Sequence, residues 1–228
     1  LKTPLVEPSL HRFGKWTILI PVVGGLVVGL MARYGSERIR GHGIPEAMET
    51  ILINGSKVEP RLTGLKPISS AISIGSGGPF GAEGPIIATG GALGSLIGKV
   101  LRVTATERKI LLAAGAAAGM AAVFGSPVSA VILAVELLLF ELRPRSLIPV
   151  ALVTTTAAGI RYALVGSQAV FAMPAIATPG GGALAFYIAL GAWLGVVSVG
   201  VTWLVYAIED IFHKLPVHWM WWPAIGGI

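Results

Sequence analysis

The stretch GSGGPFGAEGP at residues 75–85 indicates the fold, because it puts five glycines and one carboxylate, Glu83, between two apolar runs. The run Leu62–Ile74 precedes it and Pro85–Val100 follows it, and no lysine or arginine lies within ten residues of Glu83. Non-helical backbone is tolerated at membrane depth only where protein covers it or water reaches it. An ionisable group at such a depth indicates a functional site. We therefore expect a membrane protein with a functional break at Glu83.

The composition supports a membrane protein. Of the 228 residues 54% are hydrophobic and 12% are charged, against about 25% charged in soluble domains, and the mean hydropathy is +0.79. The net charge of +6 is typical of basic cytoplasmic loops, so nucleic acid is not an expected partner. Soluble enzymes and disordered chains are excluded. The lack of cysteine excludes disulfides, thiolate metal sites and thiol nucleophiles.

The hydrophobic pattern predicts an all-α, multi-pass membrane domain over residues 1–228, with no soluble domain. Several segments are shorter than the roughly 20 residues that cross a bilayer, and glycine or proline separates them; half-spanning helices of this kind recur in transporters. The chain stops inside an apolar run, and we expect it to be part of a longer protein. The predicted segments are Trp16–Ala32, Pro45–Ile53, Leu62–Ile74, Pro85–Val100, Lys109–Phe124, Val128–Leu142, Leu147–Val165, Gly182–Ala207 and Trp219–Ile228.

Some of the glycines suit close helix packing. The sets Gly90–Gly98 and Gly115–Gly119 bring small residues to one helix face, which lets two helices approach backbone to backbone. We expect a packing role for these two sets.

Two other segments predict an anion site. Residues 41–46 read GHGIPE and residues 81–85 read GAEGP, so each has glycines before a proline that opens an apolar run. Proline suits the first helical position, and a helix start presents free N–H donors and a partial positive charge that attract anions. Two such starts aimed into one cavity would bind an anion without a full positive charge in the membrane.

Glu83 has two interpretations beside that site. Its carboxylate could occupy the N–H groups after Gly84 as a tethered competitor of the anion, and protonation would then release the site, so that one residue gates and carries a proton. The alternative is a capping carboxylate that stabilises the helix at Pro85.

The two motifs resemble signatures of the CLC family of chloride channels and chloride/proton antiporters, whose patterns read GSGIPE and G(K/R)EGP. The run from Ala113 to Pro127, leading on to Glu136, resembles the next two helices of that family. The resemblance covers the chain from about Trp16 to its end. It implies an all-helical fold of two inverted halves with half-spanning helices and a homodimer with one ion pathway per subunit. This chain would then run from the third helix to the start of the eleventh.

The resemblance also implies residue roles. Glu83 matches the gating glutamate, and chloride is the implied ligand. His42 stands where the family usually has a serine that donates to chloride; its imidazole could still donate, or it points away and backbone donors alone bind the ion. The predicted anion-binding residues are His42, Gly43, Ile44, Gly84, Pro85, Ile86 and Ile87, and the supporting motif residues are Gly41, Pro45 and Gly81.

Two positions bear on proton coupling. Glu136 matches a widely shared family glutamate and is a candidate for a proton path, with Glu141 nearby. The antiporters commonly carry a second acid directly after the first, but this chain has Leu137 there, which cannot carry a proton. Ala82 replaces the usual basic residue of the motif and removes a positive charge. We therefore expect a passive, voltage- or pH-gated chloride channel, with a chloride/proton antiporter as the alternative.

An enzyme is the alternative from another class. It would need a nucleophile with its base, an aspartate pair or a metal cluster. The chain has one aspartate, Asp210, and its four histidines lie outside the cores of the hydrophobic runs. We therefore expect no enzyme, no metal and no cofactor. The expected partners are chloride or a related anion, the lipid of a plasma or inner membrane, and a second copy of the chain.

Overall fold

The protein is mainly helical in the part of the chain that the computed structural model describes, which is residue 17 with residues 19–40, 43–166 and 180–227. Short 3₁₀ turns at Glu37–Arg40 and Trp219–Trp221 link some of the helices. The helices are α1 Leu19–Tyr34, α2 Ile44–Leu52, α3 Leu62–Gly75, α4 Glu83–Val100, α5 Ala105–Phe124, α6 Pro127–Leu133, α7 Pro144–Val165, α8 Gly181–Lys214 and α9 Trp222–Ile225.

The lengths of the helices confirm the predicted mixture of full and partial spans. Helices α7 and α8 are long and apolar enough to cross a membrane. Helix α2 has nine residues and is therefore about 13 Å long at 1.5 Å per residue, less than half of the roughly 30 Å hydrocarbon core. The chain thus combines helices long enough to cross a membrane with a helix too short to do so.

Several helix boundaries differ from the prediction, most of all the end of α8, which lies at Lys214 rather than Ala207. Helix α4 begins at Glu83 rather than Pro85, because a proline in the first turn has no N–H to leave unsatisfied. Helix α5 begins at Ala105 rather than Lys109, because Thr104 and Glu107 form a reciprocal capping box. Helix α6 ends at Leu133 and continues as a π-helical turn over Ala134–Leu139, so the helical path stops before Leu142.

Helices α4 and α5 form the centre of the core by direct backbone contact. A Cβ built on Gly94 would lie 2.0 Å from the Leu111 carbonyl oxygen, and one on Gly90 would lie 2.2 Å from that of Gly115. Alanines of α5, including Ala113 and Ala117, are buried in the same core. The small residues therefore serve helix packing, as predicted for these two sets.

A buried serine fixes α4 against the end of α2. The Ser95 hydroxyl donates to the Ser56 carbonyl oxygen at 2.7 Å, and the Val58 N–H donates to the Ser95 hydroxyl at 3.3 Å. Both serines are buried. This contact holds the α2–α3 loop beside the last third of α4, and so it helps to set how the starts of α2 and α4 meet.

Candidate functional site

The starts of α2 and α4 touch through two glycines. Gly43 caps α2 with φ at +73°, in the left-handed region that favours glycine. A Cβ on Gly43 would lie 2.4 Å from the Gly84 Cα and 2.9 Å from the Gly84 carbonyl oxygen. Since Gly84 is the second residue of α4, the two predicted helix starts do lie side by side.

The backbone donors at this junction belong to the first residues of each helix. The Ala47 N–H donates to the Gly43 carbonyl oxygen, and the Ile86 N–H donates to the Ala82 carbonyl oxygen, both at 3.0 Å. Among the described residues, the N–H groups that precede Ala47 in α2 and Ile86 in α4 have no acceptor. Pro45 and Pro85 have no N–H. Within the described residues, no carbonyl oxygen accepts from the N–H groups of Gly43, Ile44, Glu46, Glu83 and Gly84, which are therefore the candidate donors for an anion.

The structure thus places the α4 donors earlier than the sequence predicted. The Ile86 N–H is already used within the helix, and Ile87 is buried in the hydrophobic core. The reason is the early start of α4: Pro85 is its third residue, so the free donors precede the proline instead of following it.

Glu83 is the first residue of α4, and its side chain is exposed. No side-chain hydrogen bond caps α4, so the capping interpretation has no bond to support it. Among the described residues, the Glu83 carboxylate has no hydrogen bond or ion pair. Its backbone N–H and that of Gly84 also have no acceptor in the described part of the chain, so a carboxylate with no partner there lies next to the candidate anion site. Gly81 is exposed in the turn before it.

An ion pair between a buried lysine and a half-buried glutamate lies beside the first turn of α2. Lys66 of α3 is 3% exposed, and its ammonium donates to Glu46 Oε2 at 2.9 Å and to the Ile39 carbonyl oxygen at 3.1 Å. A cavity of about 1100 Å³ borders the pair and reaches the 76–80 turn. Sequence analysis missed this pair. The available signal was the only lysine inside the apolar run Leu62–Ile74.

Comparison with known proteins agrees with this geometry. Residues 24–228 match the model of the family described as voltage gated chloride channel. The chain belongs to that family. The all-α integral membrane fold expected from the sequence is therefore confirmed.

Individual relatives cover the same region. The chain is 29% identical over 215 residues to a ClcB-like protein of Ralstonia nicotianae, covering 92% of this chain and 50% of that one. It is 32% identical over 203 residues to the H(+)/Cl(-) exchange transporter ClcA of Vibrio cholerae, covering 81% and 40%. The crystal structure of a slow cyanobacterial Cl⁻/H⁺ antiporter superposes with a TM-score of 0.81 at 24% identity, covering 92% and 50%. The chain thus spans half or less of the length of these proteins.

Within the family motif, Gly41 and His42 lie outside the described residues. Whether the His42 imidazole donates to an anion or points away stays a prediction. The described part of that motif, from Gly43 onward, forms the start of α2.

The candidate proton path lies on the π-helical turn after α6. Glu136 is exposed there and has no hydrogen bond or ion pair among the described residues, while Leu137 beside it is half-buried. Glu141 lies beyond that turn and pairs with Arg143 at 3.4 Å. The Ser146 hydroxyl donates to Glu141 at 2.7 Å, and this bond, with the charges of Arg143 and Lys109, lowers the pKa of the carboxyl despite partial desolvation. Glu141 therefore takes up a proton less readily than an ordinary glutamate.

Proposed function

We propose that the full protein containing this chain moves chloride or a related monovalent anion across a membrane, and that it binds the anion between the starts of α2 and α4. The approach of Gly43 to Gly84 carries this proposal, because it gathers free N–H donors and two positive helix ends at one point. The family membership supports the same function.

Exchange of the anion for protons is the first candidate mechanism. The ClcA relative and the structural neighbour are both named as chloride/proton exchangers, and these names favour the alternative over the passive channel that the sequence analysis ranked first. The passive channel stays as the second candidate because Leu137 offers no proton acceptor beside Glu136.

Glu83 is the gate in this proposal. Its ionised carboxylate competes with the anion for the donors of Gly43, Ile44 and Gly84, and protonation removes the competitor. The exposed side chain without a described partner supports this role, since no bond has to break before the carboxylate swings toward the donors. Glu136 is the candidate for the second residue that binds the proton along its path.

The oligomeric state and membrane location in this proposal are those that the family resemblance implies. The described chain is one portion of a single transmembrane domain of a multi-pass protein in a plasma or inner membrane. The working unit is a homodimer, with lipid around it and no resident cofactor.

Reconstitution of the full protein into liposomes tests the mechanism. A chloride gradient should drive uphill proton movement, and Glu83→Gln should abolish that movement and leave chloride flux insensitive to pH. Glu37→Gln, which removes an exposed carboxylate of the 3₁₀ turn, is the matched control and should change neither readout. Chloride flux with no proton movement would select the passive channel. No anion flux, under conditions in which a relative is active, would overturn the proposal.

Alanine substitutions at two glycines, both with positive φ, test the binding site separately. Gly43→Ala should weaken chloride binding on the order of tenfold, because its Cβ forces the two helix starts apart. Gly55→Ala has similar backbone strain at φ +55° but nothing within 4 Å of its Cβ, so its chloride affinity should stay unchanged. Calorimetric titration with chloride measures both. Equal affinities for the two variants would remove the helix junction as the site.

A further inference from the structure

A basic surface covers the end of the molecule where α4 ends and α7 begins. We define it by Lys99, Arg102, Arg143 and Arg145, all of which are exposed. Lys99 lies in the last turn of α4 and Arg102 in the α4–α5 turn, while Arg143 and Arg145 flank Pro144, the first residue of α7. None of these four side chains takes part in the proposed anion site.

Described contacts join the two halves of this surface. The Thr104 hydroxyl, two residues after Arg102, donates to Glu107 at 2.7 Å, and Glu107 pairs with Arg145 at 3.7 Å. The Lys109 ammonium of α5 also donates to the Leu139 carbonyl oxygen at 2.6 Å, just before the α6–α7 connection. The α4–α5 turn and the start of α7 therefore form one continuous surface.

The described residues do not neutralise the charge of this surface. Two carboxylates, Glu107 and Glu141, stand against its four cations, and the ion pairs that they form with Arg145 and Arg143 are 3.7 and 3.4 Å long. The arginine side chains in those pairs are 75% and 77% exposed, so the pairs are loose and solvent-screened. Positive charge is left over for an external anion.

Exposed apolar side chains alternate with these cations. Val100 and Leu101 directly precede Arg102, and Leu142 directly precedes Arg143; they are 73%, 64% and 75% exposed. Apolar groups of this size are unfavourable in water but suit the edge of the hydrocarbon, where basic side chains extend to the phosphates. The start of α7, a helix long and apolar enough to cross a membrane, fixes the surface at that boundary.

We propose that this basic surface binds the phosphate groups of anionic phospholipids, with the apolar side chains against their acyl chains. The combination of unneutralised arginines and exposed leucines distinguishes a lipid from a free anion, which would use only the charges. An excess of lysine and arginine also marks the cytoplasmic end of a membrane protein, and the cytoplasmic leaflet carries the anionic lipids that attract such segments. The proposal does not depend on chloride transport.

Lipid titration of the full protein in neutral detergent tests the proposal. Phosphatidylglycerol and phosphatidylcholine with matched acyl chains are added, and native mass spectrometry counts the bound lipids while melting temperature reports stabilisation. Phosphatidylglycerol should bind more tightly than phosphatidylcholine. The triple variant Arg102→Gln, Arg143→Gln, Arg145→Gln should lose this preference, at about fivefold in affinity for each arginine.

Two further variants separate position and charge from folding. Replacing the same three arginines with lysine should retain the preference. The variant Lys57→Gln, Arg61→Gln, Lys214→Gln loses the same charge at exposed sites elsewhere and should also retain it. Raising the salt from about 0.1 M to about 1 M should weaken the preference of the unaltered protein, because the Debye length falls to about 3 Å. This measurement needs no variant.

Several outcomes would overturn the proposal. These are equal binding of the two lipids by the unaltered protein, an equal loss of preference in the control variant, and a preference insensitive to salt. Inorganic phosphate that displaces phosphatidylglycerol and raises the melting temperature as much would show a site for free phosphate instead of a lipid.

Discussion

Helices α4 and α8 carry similar small residues but have opposite environments. In α4 the glycines at 90 and 94 meet the backbone of α5 at distances that leave no room for a Cβ. In α8 the glycines at 191, 195 and 200 have no described neighbour within 4 Å, and none of the 34 residues of that helix is buried. A glycine-rich helix is therefore not in itself a packing helix, because the partner decides what each glycine does.

The same contrast applies to charges. Lys66 and Glu46 form a buried pair at 2.9 Å, whereas Glu209 and His213 of α8 lie 3.9 Å apart, with both side chains more than half exposed. At its end α8 does touch the chain, since the Phe212 and His213 rings meet Trp222 edge to face. Before that end, no described residue buries the apolar length of α8. Matched substitutions in the two regions can test whether this difference holds in the full protein.

The largest expected difference is between Gly94→Ala and Gly195→Ala. The new Cβ at 94 would lie 2.0 Å from the Leu111 carbonyl oxygen, and separating two packed backbones should cost about 3 kcal/mol. Gly195→Ala meets open space and should stabilise its helix by up to about 1 kcal/mol. Denaturant titration in detergent micelles measures both free energies of unfolding.

A large loss in Gly195→Ala would show that a segment outside this chain packs against that face of α8. A small loss in Gly94→Ala would contradict the α4–α5 contact itself.

The stability losses of Glu46→Gln and Glu209→Gln should differ by less than those of the two glycine variants. Glu46→Gln leaves the buried Lys66 ammonium without its counter-charge, although the amide and the Ile39 carbonyl oxygen still accept from it, so we expect a loss of about 2 kcal/mol. The exposed pair on α8 should change stability by about 0.5 kcal/mol or less. Thermal unfolding at constant salt measures the loss of stability in both variants. Equal losses would show that the Glu209 pair becomes buried in the full protein.

The sequence predicts much of the helix pattern because apolar runs, glycines and prolines are local signals. It places α2, α3 and α7 within a few residues, and it predicts the packing glycines of α4 and α5. It does not predict the Lys66–Glu46 pair, since the partners are twenty residues apart and only tertiary packing joins them.

The candidate site is predicted only in outline. The motifs at residues 41–46 and 81–85 indicate two helix starts, but which N–H groups stay free depends on the position that each proline takes in the first turn of its helix. Pro85 is the third residue of α4, so the N–H groups without an acceptor among the described residues are those of Glu83 and Gly84, whereas the Ile86 N–H donates to the Ala82 carbonyl oxygen. A shift of two residues at a helix start is within the ordinary error of boundaries read from sequence, yet it changes the identity of the donors.

The smallest expected difference is between Thr154→Val on α7 and Thr202→Val on α8. The Thr154 hydroxyl is fully buried and donates to the Val150 carbonyl oxygen at 2.9 Å, while the exposed Thr202 hydroxyl donates to that of Ser198 at 2.8 Å. Each hydroxyl is satisfied by its own helix, and valine keeps the shape of the side chain, so burial should matter little here. We expect losses of about 1 kcal/mol for Thr154→Val and close to zero for Thr202→Val, measured by denaturant titration. A loss several times larger at Thr154 would mean that its hydroxyl also bonds a group outside this chain, and the contrast between packed and open helices would then extend to α7.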